Sequence, residues 1–438
     1  MSVPKSKSSN FVIRDVLIFD GKEFIENGYV VVTNGKIERL GSGVPVTLTD
    51  TPTYSKPGCT VIPGLIDAHV HAIGGSVQSI EQSIRFGVTT ILDMHNEAEH
   101  NVRLRKLAAE PSTKGQYADF KCAGLGAMVI DGWPEPVVRK VFEQAGKPEI
   151  AETMISAWPR LASADEAPAF VQAQIDDSGA SYIKLMHELG DTLSMPGLPR
   201  PPLDIQRAVV AAAHRHKIIA VGHALSHAGA ADLLAAGVDG LAHCFLDKAP
   251  ADDGLINTMR EKNVHCSPTL SLCASQTGQG AELQRRFAAD PLARRMQFDP
   301  RPRRDIGLAC GSRHNASIEN VYETTREMYR AGVPLVVGSD AAGQDVGAGF
   351  GLGVHMELYQ MVHEIGMRPE EALSSATSLT AERFGFDDRG VIERGRLADL
   401  VLVEGDVRAT MVDENVMCLP VSMVWREGVL GDVFGPSG

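Results

Sequence analysis

Between residues 61 and 341 the chain alternates short β-branched runs with longer helical stretches, and it does so eight times. The runs are VIPGLIDAH, GVTTILDMH, YADFKCAGL, ASYIKLMHE, KIIAVGHAL, GLAHCFL, NVHCSPTL and VPLVVGSDA. Each is followed by enough chain for a crossover helix, which is what a parallel (β/α)8 barrel requires. The expected fold class is therefore α/β with a TIM-like barrel, and a doubly wound sheet is the alternative. No repeated sequence with a period of about 20–50 residues is present, which argues against a solenoid.

The texture differs outside this middle section. Residues 11–40 alternate short apolar runs with the dipeptides Asn27-Gly28 and Asn34-Gly35, both suited to tight hairpin turns. Similar β-texture returns in GVIERGRLADLVLVEG (390–405) and VSMVWREGVLG (421–431). The two ends are expected to pair into a small β-sandwich domain of residues 1–62 and 386–438, leaving 63–385 as the barrel. Two connections are long, SMPGLPRPP (194–202) and the stretch 271–330, and long connections often act as active-site lids.

A length of 438 residues accommodates a barrel of ~250 residues plus a smaller domain. The formal net charge of −13 argues against a nucleic-acid or anionic-membrane surface, both of which need concentrated positive charge. The expected partners are a small-molecule substrate and a second copy of the chain in a homo-oligomer. The polar start MSVPKSKSSN carries no secretory apolar core, and no apolar run of ~18 residues occurs, so the expected location is the cytoplasm. The seven cysteines (59, 122, 244, 266, 273, 310 and 418) show no CxxC spacing and read as reduced core residues.

In a barrel the chemistry sits at the C-terminal ends of the strands, so the residues that close each run carry the functional signal. The first run gives His69 and His71, the fourth Lys184, the fifth His223, the sixth His243 and the eighth Asp340. Singly, each has an ordinary explanation: a satisfied core histidine, or an aspartate capping a helix. His69 and His71, however, lie two apart on a strand and share a face. Lys184 sits in an apolar run where a lysine needs a partner. Four imidazoles, a lysine and a carboxylate at matching strand ends point to bound metal.

Here the chain resembles the metal-dependent amidohydrolase superfamily. The resemblance is carried by PGLIDAHVHA, ASYIKLM, AVGHALS, GLAHCF and VVGSDAAG, followed by RPEEALSSATSLTAERFG and GVIERGRLADLVLV. It is similar to the branch of prolidase-like Xaa-dipeptidases and the ochratoxin-hydrolysing amidase, and more loosely to imidazolonepropionase. The resemblance implies two divalent ions, most often Zn2+. His69, His71 and Asp340 would hold one, His223 and His243 the other, with Lys184 bridging them as a CO2-derived carbamate. It also implies hydrolysis of an amide, peptide-like or cyclic C–N bond by metal-activated water, with Asp340 as the catalytic proton carrier. Lactone hydrolysis, deamination, decarboxylation and a non-catalytic scaffold of the same fold remain alternatives.

Substrate contacts are expected from His95, Trp133, His187 and Glu188, with His265 a further wall, while His214 and His216 read as a solvated helix end. The arginine-rich stretch 283–305 reads as an exposed helical face. Relatives carry a Gly-Gly-His-like stretch after the third strand, whereas this chain has GLGAMVIDGWPEP, so the substrate does not carry over from the resemblance. Met128, Val129, Trp133 and MPGLPRPP suggest apolar walls and hence an apolar or aromatic substrate.

Overall fold

The structure is a computed structural model that describes residues 9–44, 51–250, 254–297, 315–343 and 347–431. In chain order, strands β1 (Phe11–Phe19), β2 (Phe24–Thr33), β3 (Lys36–Ser42), β4 (Thr53–Ser55) and β5 (Cys59–Pro63) come first. Then follow β6 (Leu65–Val70), β7 (Val88–Asp93), β8 (Asp119–Cys122), β9 (Ile183–Met186), β10 (Ala220–His223), β11 (Gly240–Ala242) and β12 (His265–Ser267), with helices between them. The chain returns through β13 (Leu400–Glu404), β14 (Val421–Arg426) and β15 (Val429–Leu430).

The two chain ends do meet in one mixed sheet, ordered β15-β14-β13-β5-β1-β2-β3, with β4 beside β1. Its apolar face gathers Phe11, Ile13, Val30, Val32, Leu400, Leu402 and Trp425. Asn34-Gly35 forms the expected hairpin turn between β2 and β3, both residues at positive φ and Thr33 paired with Lys36. Asn27-Gly28 does not turn the chain. It lies inside β2, where the β1 ladder passes from Val16↔Gly28 to Ile18↔Ile25, and the positive φ of Asn27 is absorbed by that bulge. The β1–β2 turn falls at Asp20–Glu23 instead, where Asp20 Oδ1 accepts from the backbone N–H groups of Lys22 and Glu23 at 2.8 and 2.9 Å.

The middle of the chain forms two all-parallel sheets, β6-β7-β8 and β12-β11-β10-β9. Backbone hydrogen bonds join them on both sides. The Ala127 N–H donates to Lys184 O at 2.8 Å, and the Ser181 N–H to Cys122 O at 3.0 Å. The eighth run, 335–341, makes isolated bridges rather than a ladder, pairing Leu335 with Cys266 and Ala341 with Val70. Its backbone also bonds to both sheets, Val336 N–H to Cys266 O and Ala68 N–H to Val337 O, each at 2.9 Å. Ile66, Leu92, Tyr182, Val221 and Val336 of these segments form one buried apolar cluster with Phe384. Each such fully buried side chain contributes about 1.5–3 kcal/mol.

Helices cover the outside. The connection 271–330 is largely helical in its described part, with Leu270–Thr277, Ala281–Ala289, Pro291–Met296 and Ile318–Ala331. Within the arginine-rich stretch, Arg286 donates to the Tyr359 hydroxyl at 3.2 Å, and Arg285 pairs with Glu282 at the surface; residues 298–305 lie outside the described residues. The C-terminal return is anchored to the parallel sheets by buried ion pairs, Arg389 to Asp119 at 2.6 Å and Arg426 to Asp119 at 3.2 Å. Burial alone would raise the Asp119 pKa, but the two arginines and Lys121 outweigh it and hold the carboxylate ionised. Among the described residues no helix is long and apolar enough to cross a membrane, and the six described cysteines are free thiols.

Candidate metal centre

The first parallel strand brings His69 and His71 together through an irregularity. Between Asp67↔Ile91 and Val70↔Asp93 the register gains one residue on β6, and such bulges re-aim side chains. Their Nε2 atoms lie 3.3 Å apart. Asp340 arrives from the eighth run, its N–H donating to His69 O at 2.8 Å. Asp340 Oδ1 then stands 3.4 Å from His69 Nε2 and 3.3 Å from His71 Nε2.

This triangle has the size of a metal coordination face. Tetrahedral ligands at about 2.0–2.1 Å from one ion stand about 3.3–3.4 Å from each other. The same three residues emerge as a group whose ligand atoms all lie within 4.8 Å of one another.

The remaining candidates close the site from the other sheet. The His243 ring lies 4.9 Å from that of His69 and 4.6 Å from that of His223. His243 Nδ1 meets Thr269 Oγ1 at 2.8 Å, which leaves its Nε2 as the free ring nitrogen. His223 Nε2 lies 3.3 Å from Glu188 Oε2. His243 and Asp340 both sit at positive φ, 75° and 52°. Such strain in non-glycine residues is concentrated at functional sites.

Lys184 is the clearest anomaly. It is 1% exposed, and its Nζ has no hydrogen-bond partner among the described residues. Burial drives its pKa down to about 7, against the opposing charge of Asp340, so a substantial share is neutral amine near neutrality. Burial likewise pushes His69 and His243 well below the ordinary histidine range, with Lys184 and the neighbouring imidazoles adding to it. His71 behaves differently: burial lowers it, but the Asp340 hydrogen bond and the charges of Asp340 and Asp93 raise it overall. Neutral imidazoles at His69 and His243, a His71 paired with the Asp340 carboxylate, and an orphaned buried amine fit a metal-binding centre.

The centre opens into a cavity of about 450 Å3. Trp133 lines it and stacks on His223, with ring centroids 5.2 Å apart and planes 18° apart. His95 lines it too, held edge-on by Trp158 at 4.8 Å. Glu188 lies behind His223 instead, its oxygens accepting from Gly190 N–H at 2.7 Å and Leu225 N–H at 3.2 Å. His187 faces a second cavity with Arg200, Gln206 and Asp232. His265 sits at the start of β12 against Phe384, at the end of the strand away from the site. His214 pairs with Asp239 at 2.8 Å on the surface.

The cavity walls also differ from the sequence reading. MPGLPRPP lines the second cavity, and Met128 is buried behind Trp158 and Met186. The apolar wall comes from Val137, Val138, Val141 and Phe142 of helix Glu135–Gln144 and Met154 of helix Pro148–Ser156. The spacing i, i+1, i+4, i+5 in EPVVRKVFEQ marks one apolar face and was the available signal. Also unanticipated is Asp93, whose Oδ2 accepts from Ala72 N–H at 2.7 Å and whose Oδ1 accepts from His95 N–H at 2.9 Å.

Comparison with known proteins agrees with this architecture. The chain belongs to the amidohydrolase family, whose sequence profile matches residues 60–430. A curated relative, the imidazolonepropionase of Cutibacterium acnes, is 36% identical over 85 residues, 19% of this chain; the match spans about a fifth of that relative's length (21%). A solved Xaa-Pro dipeptidase with bound methionine superimposes with a TM-score of 0.72 at 22% identity, covering 96% of this chain and 99% of that one. The A. niger ochratoxinase superimposes with a TM-score of 0.70 at 19% identity, covering 96% and 95%.

Proposed function

We propose that this protein is a metal-dependent hydrolase that cleaves an amide, peptide-like or cyclic C–N bond of a small apolar or aromatic substrate. The observation that carries the reading is the His69, His71 and Asp340 triangle, with side lengths of 3.3–3.4 Å, beside the unpartnered Lys184. In this reading the three residues hold one divalent ion, most often zinc, and His223 and His243 hold a second. Lys184 would contribute as a carbamate: its neutral amine would add to CO2 with release of a proton and so offer anionic oxygen donors to the ions. Bound there, such ions would supply a hydroxide near neutral pH and polarise the scissile carbonyl.

The chain's own residues would do the rest. Asp340, partly facing the cavity, takes a proton from the attacking water and returns it to the leaving nitrogen. Trp133 and the helix Glu135–Gln144 bind the apolar part of the substrate and exclude water from it. A serine or cysteine nucleophile has little support. The Ser339 hydroxyl is committed to Asp67 at 2.6 Å, and burial pushes the Cys244 thiol up to about 12.

We further read the two parallel sheets and the eighth run as a (β/α)8 barrel of residues 63–385, with 1–62 and 386–438 forming the companion β-domain. The backbone bonds between the sheets favour this. A cytoplasmic homo-oligomer acting on small molecules completes the reading; sedimentation would test the assembly. The activity is tested by elemental analysis of protein produced with zinc and bicarbonate, followed by a panel of N-acyl amino acids, anilides, dipeptides, lactams and lactones. About two metals per chain and hydrolysis of apolar amides are expected. Protein that takes up no metal under these conditions, or that is inert on the whole panel when metal-loaded, would overturn it.

A further inference from the structure

His95 is wired in a way the metal centre does not require. Its Nδ1 lies 2.9 Å from the backbone nitrogen of Gly126, whose N–H donates to it. A ring nitrogen that accepts cannot carry a proton, so the imidazole is the neutral tautomer with its proton on Nε2. That Nε2 is buried, lacks a hydrogen-bond partner among the described residues, and belongs to a side chain lining the cavity. The ring cannot easily turn away. Trp158 packs edge-on against it, and the Trp158 indole N–H is fixed on Glu97 Oε1 at 3.1 Å.

A buried donor without a partner is costly, and a ligand acceptor would recover that cost. The acceptor that suits it is uncharged. Nδ1 is occupied by a donor, so the ring does not become a cation that would anchor a carboxylate. Among the described lining residues there is no arginine, the lysine, Lys184, belongs to the metal centre, and Glu97 also lines the cavity. We propose that His95 is a specificity-determining donor whose Nε2–H holds a neutral oxygen of the substrate, so that the cavity selects amides without a free carboxylate over N-acyl amino acids and dipeptides. This rests on the amide-hydrolase reading above.

The test uses a matched pair of probes, N-phenethylbenzamide and N-benzoylphenylalanine, which differ only by a carboxylate. Binding to the metal-loaded protein is followed by calorimetry and by quenching of tryptophan fluorescence. The neutral probe should bind about tenfold or more tightly than the carboxylated one. His95→Phe should weaken the neutral probe by about tenfold, the scale of one hydrogen bond, with metal content and unfolding midpoint unchanged. His95→Gln, whose amide N–H can stand in for Nε2–H, should stay within about threefold of wild type.

Should both variants fold poorly, nitrogen-15 spectra of histidine-labelled wild type decide instead: an Nε2-protonated His95 whose resonance shifts on adding N-phenethylbenzamide is expected. Tighter binding of N-benzoylphenylalanine, wild-type binding by His95→Phe, an Nδ1-protonated ring, or no binding of the neutral probe would each overturn the assignment. The underlying reading fails separately. Bound neutral amide that is never hydrolysed removes the hydrolase reading and leaves His95 in place, whereas hydrolysis unaffected by His95→Phe does the reverse.

Discussion

The carboxylate of Asp67 accepts both the backbone N–H and the hydroxyl of Ser339, at 2.9 and 2.6 Å, across 272 residues of sequence. It also takes the His69 N–H at 3.2 Å. One buried side chain therefore fixes the first strand against the eighth run, and those two segments carry His69, His71 and Asp340. The eighth run makes only isolated bridges, so this staple supplies order that a ladder would otherwise give.

Removing the staple should therefore loosen the site as well as the fold. Asp67→Ala strands two buried donors of Ser339, each costing about 1–3 kcal/mol, and should lower both stability and metal affinity. Asp67→Asn keeps one acceptor and should fall between. Urea unfolding of the metal-free proteins, with zinc titration of each, checks this; unchanged metal affinity in Asp67→Ala would show that the eighth run holds its place without Asp67.

Glu357 makes a second buried anchor, accepting the N–H groups of Leu270 and Ser271 at 2.9 and 2.6 Å just beyond Thr269. Burial pushes its pKa up to about 8, although those N–H donors pull the other way. The folded chain thus keeps a proton that an unfolded chain, with glutamate near 4.5, has already released. Its stabilising contribution is full below the unfolded value and is lost as pH rises toward about 8. Because the depressed histidines act in the opposite sense, the comparison is between the two proteins: as pH rises from about 5 to about 8, metal-free wild type should lose melting temperature relative to metal-free Glu357→Gln. Parallel slopes in the two proteins would refute it.

The residues that converge at the candidate centre were legible because they close apolar runs, where a charged or imidazole side chain has no ordinary reason to be. Lys184 illustrates this: the apolar YIKLM context foretells its burial, and the structure adds that its Nζ has no hydrogen-bond partner among the described residues. The partners behind the ligands were not legible. Thr269, Glu188 and Asp67 are common residue types whose roles depend on which strand lies beside which, and no local spacing encodes that. His187 shows the complementary error. Three residues beyond Lys184 it seemed bound for the site, but the chain leaves the strand after Met186 and turns it toward Gln206 and Asp232. The Asn27-Gly28 pair departs from its expected turn for a related reason, since a positive φ serves a bulge as well as a turn.

Thr269 offers a test of the layer behind the ligands. Its hydroxyl pairs with His243 Nδ1 at 2.8 Å and fixes which ring nitrogen faces the site. Loss of such a partner typically costs 10–100-fold in metal affinity, so Thr269→Val should lower it by roughly that factor. Thr269→Ser should remain near wild type, because the oxygen is kept. Competition with a chelator of known affinity measures both, and equal affinities for the Val and Ser variants would count against a role for this contact.

Asp340 carries the sharpest prediction, because it is asked to do two things. Its Oδ1 closes the triangle with His69 and His71, and its side chain also reaches the cavity, where a water would be deprotonated. An asparagine can still offer one oxygen to a cation but cannot carry a proton. Asp340→Asn should therefore lower turnover by at least the roughly 10²–10⁴-fold contributed by general acid–base catalysis, while retaining much of the bound metal. Asp340→Ala should lose metal as well, separating ligation from proton transfer. Metal analysis and turnover are read on the same preparations. Full activity in Asp340→Asn would take the proton-carrying role from this residue, and complete metal loss in it would mean that ligation alone accounts for the defect.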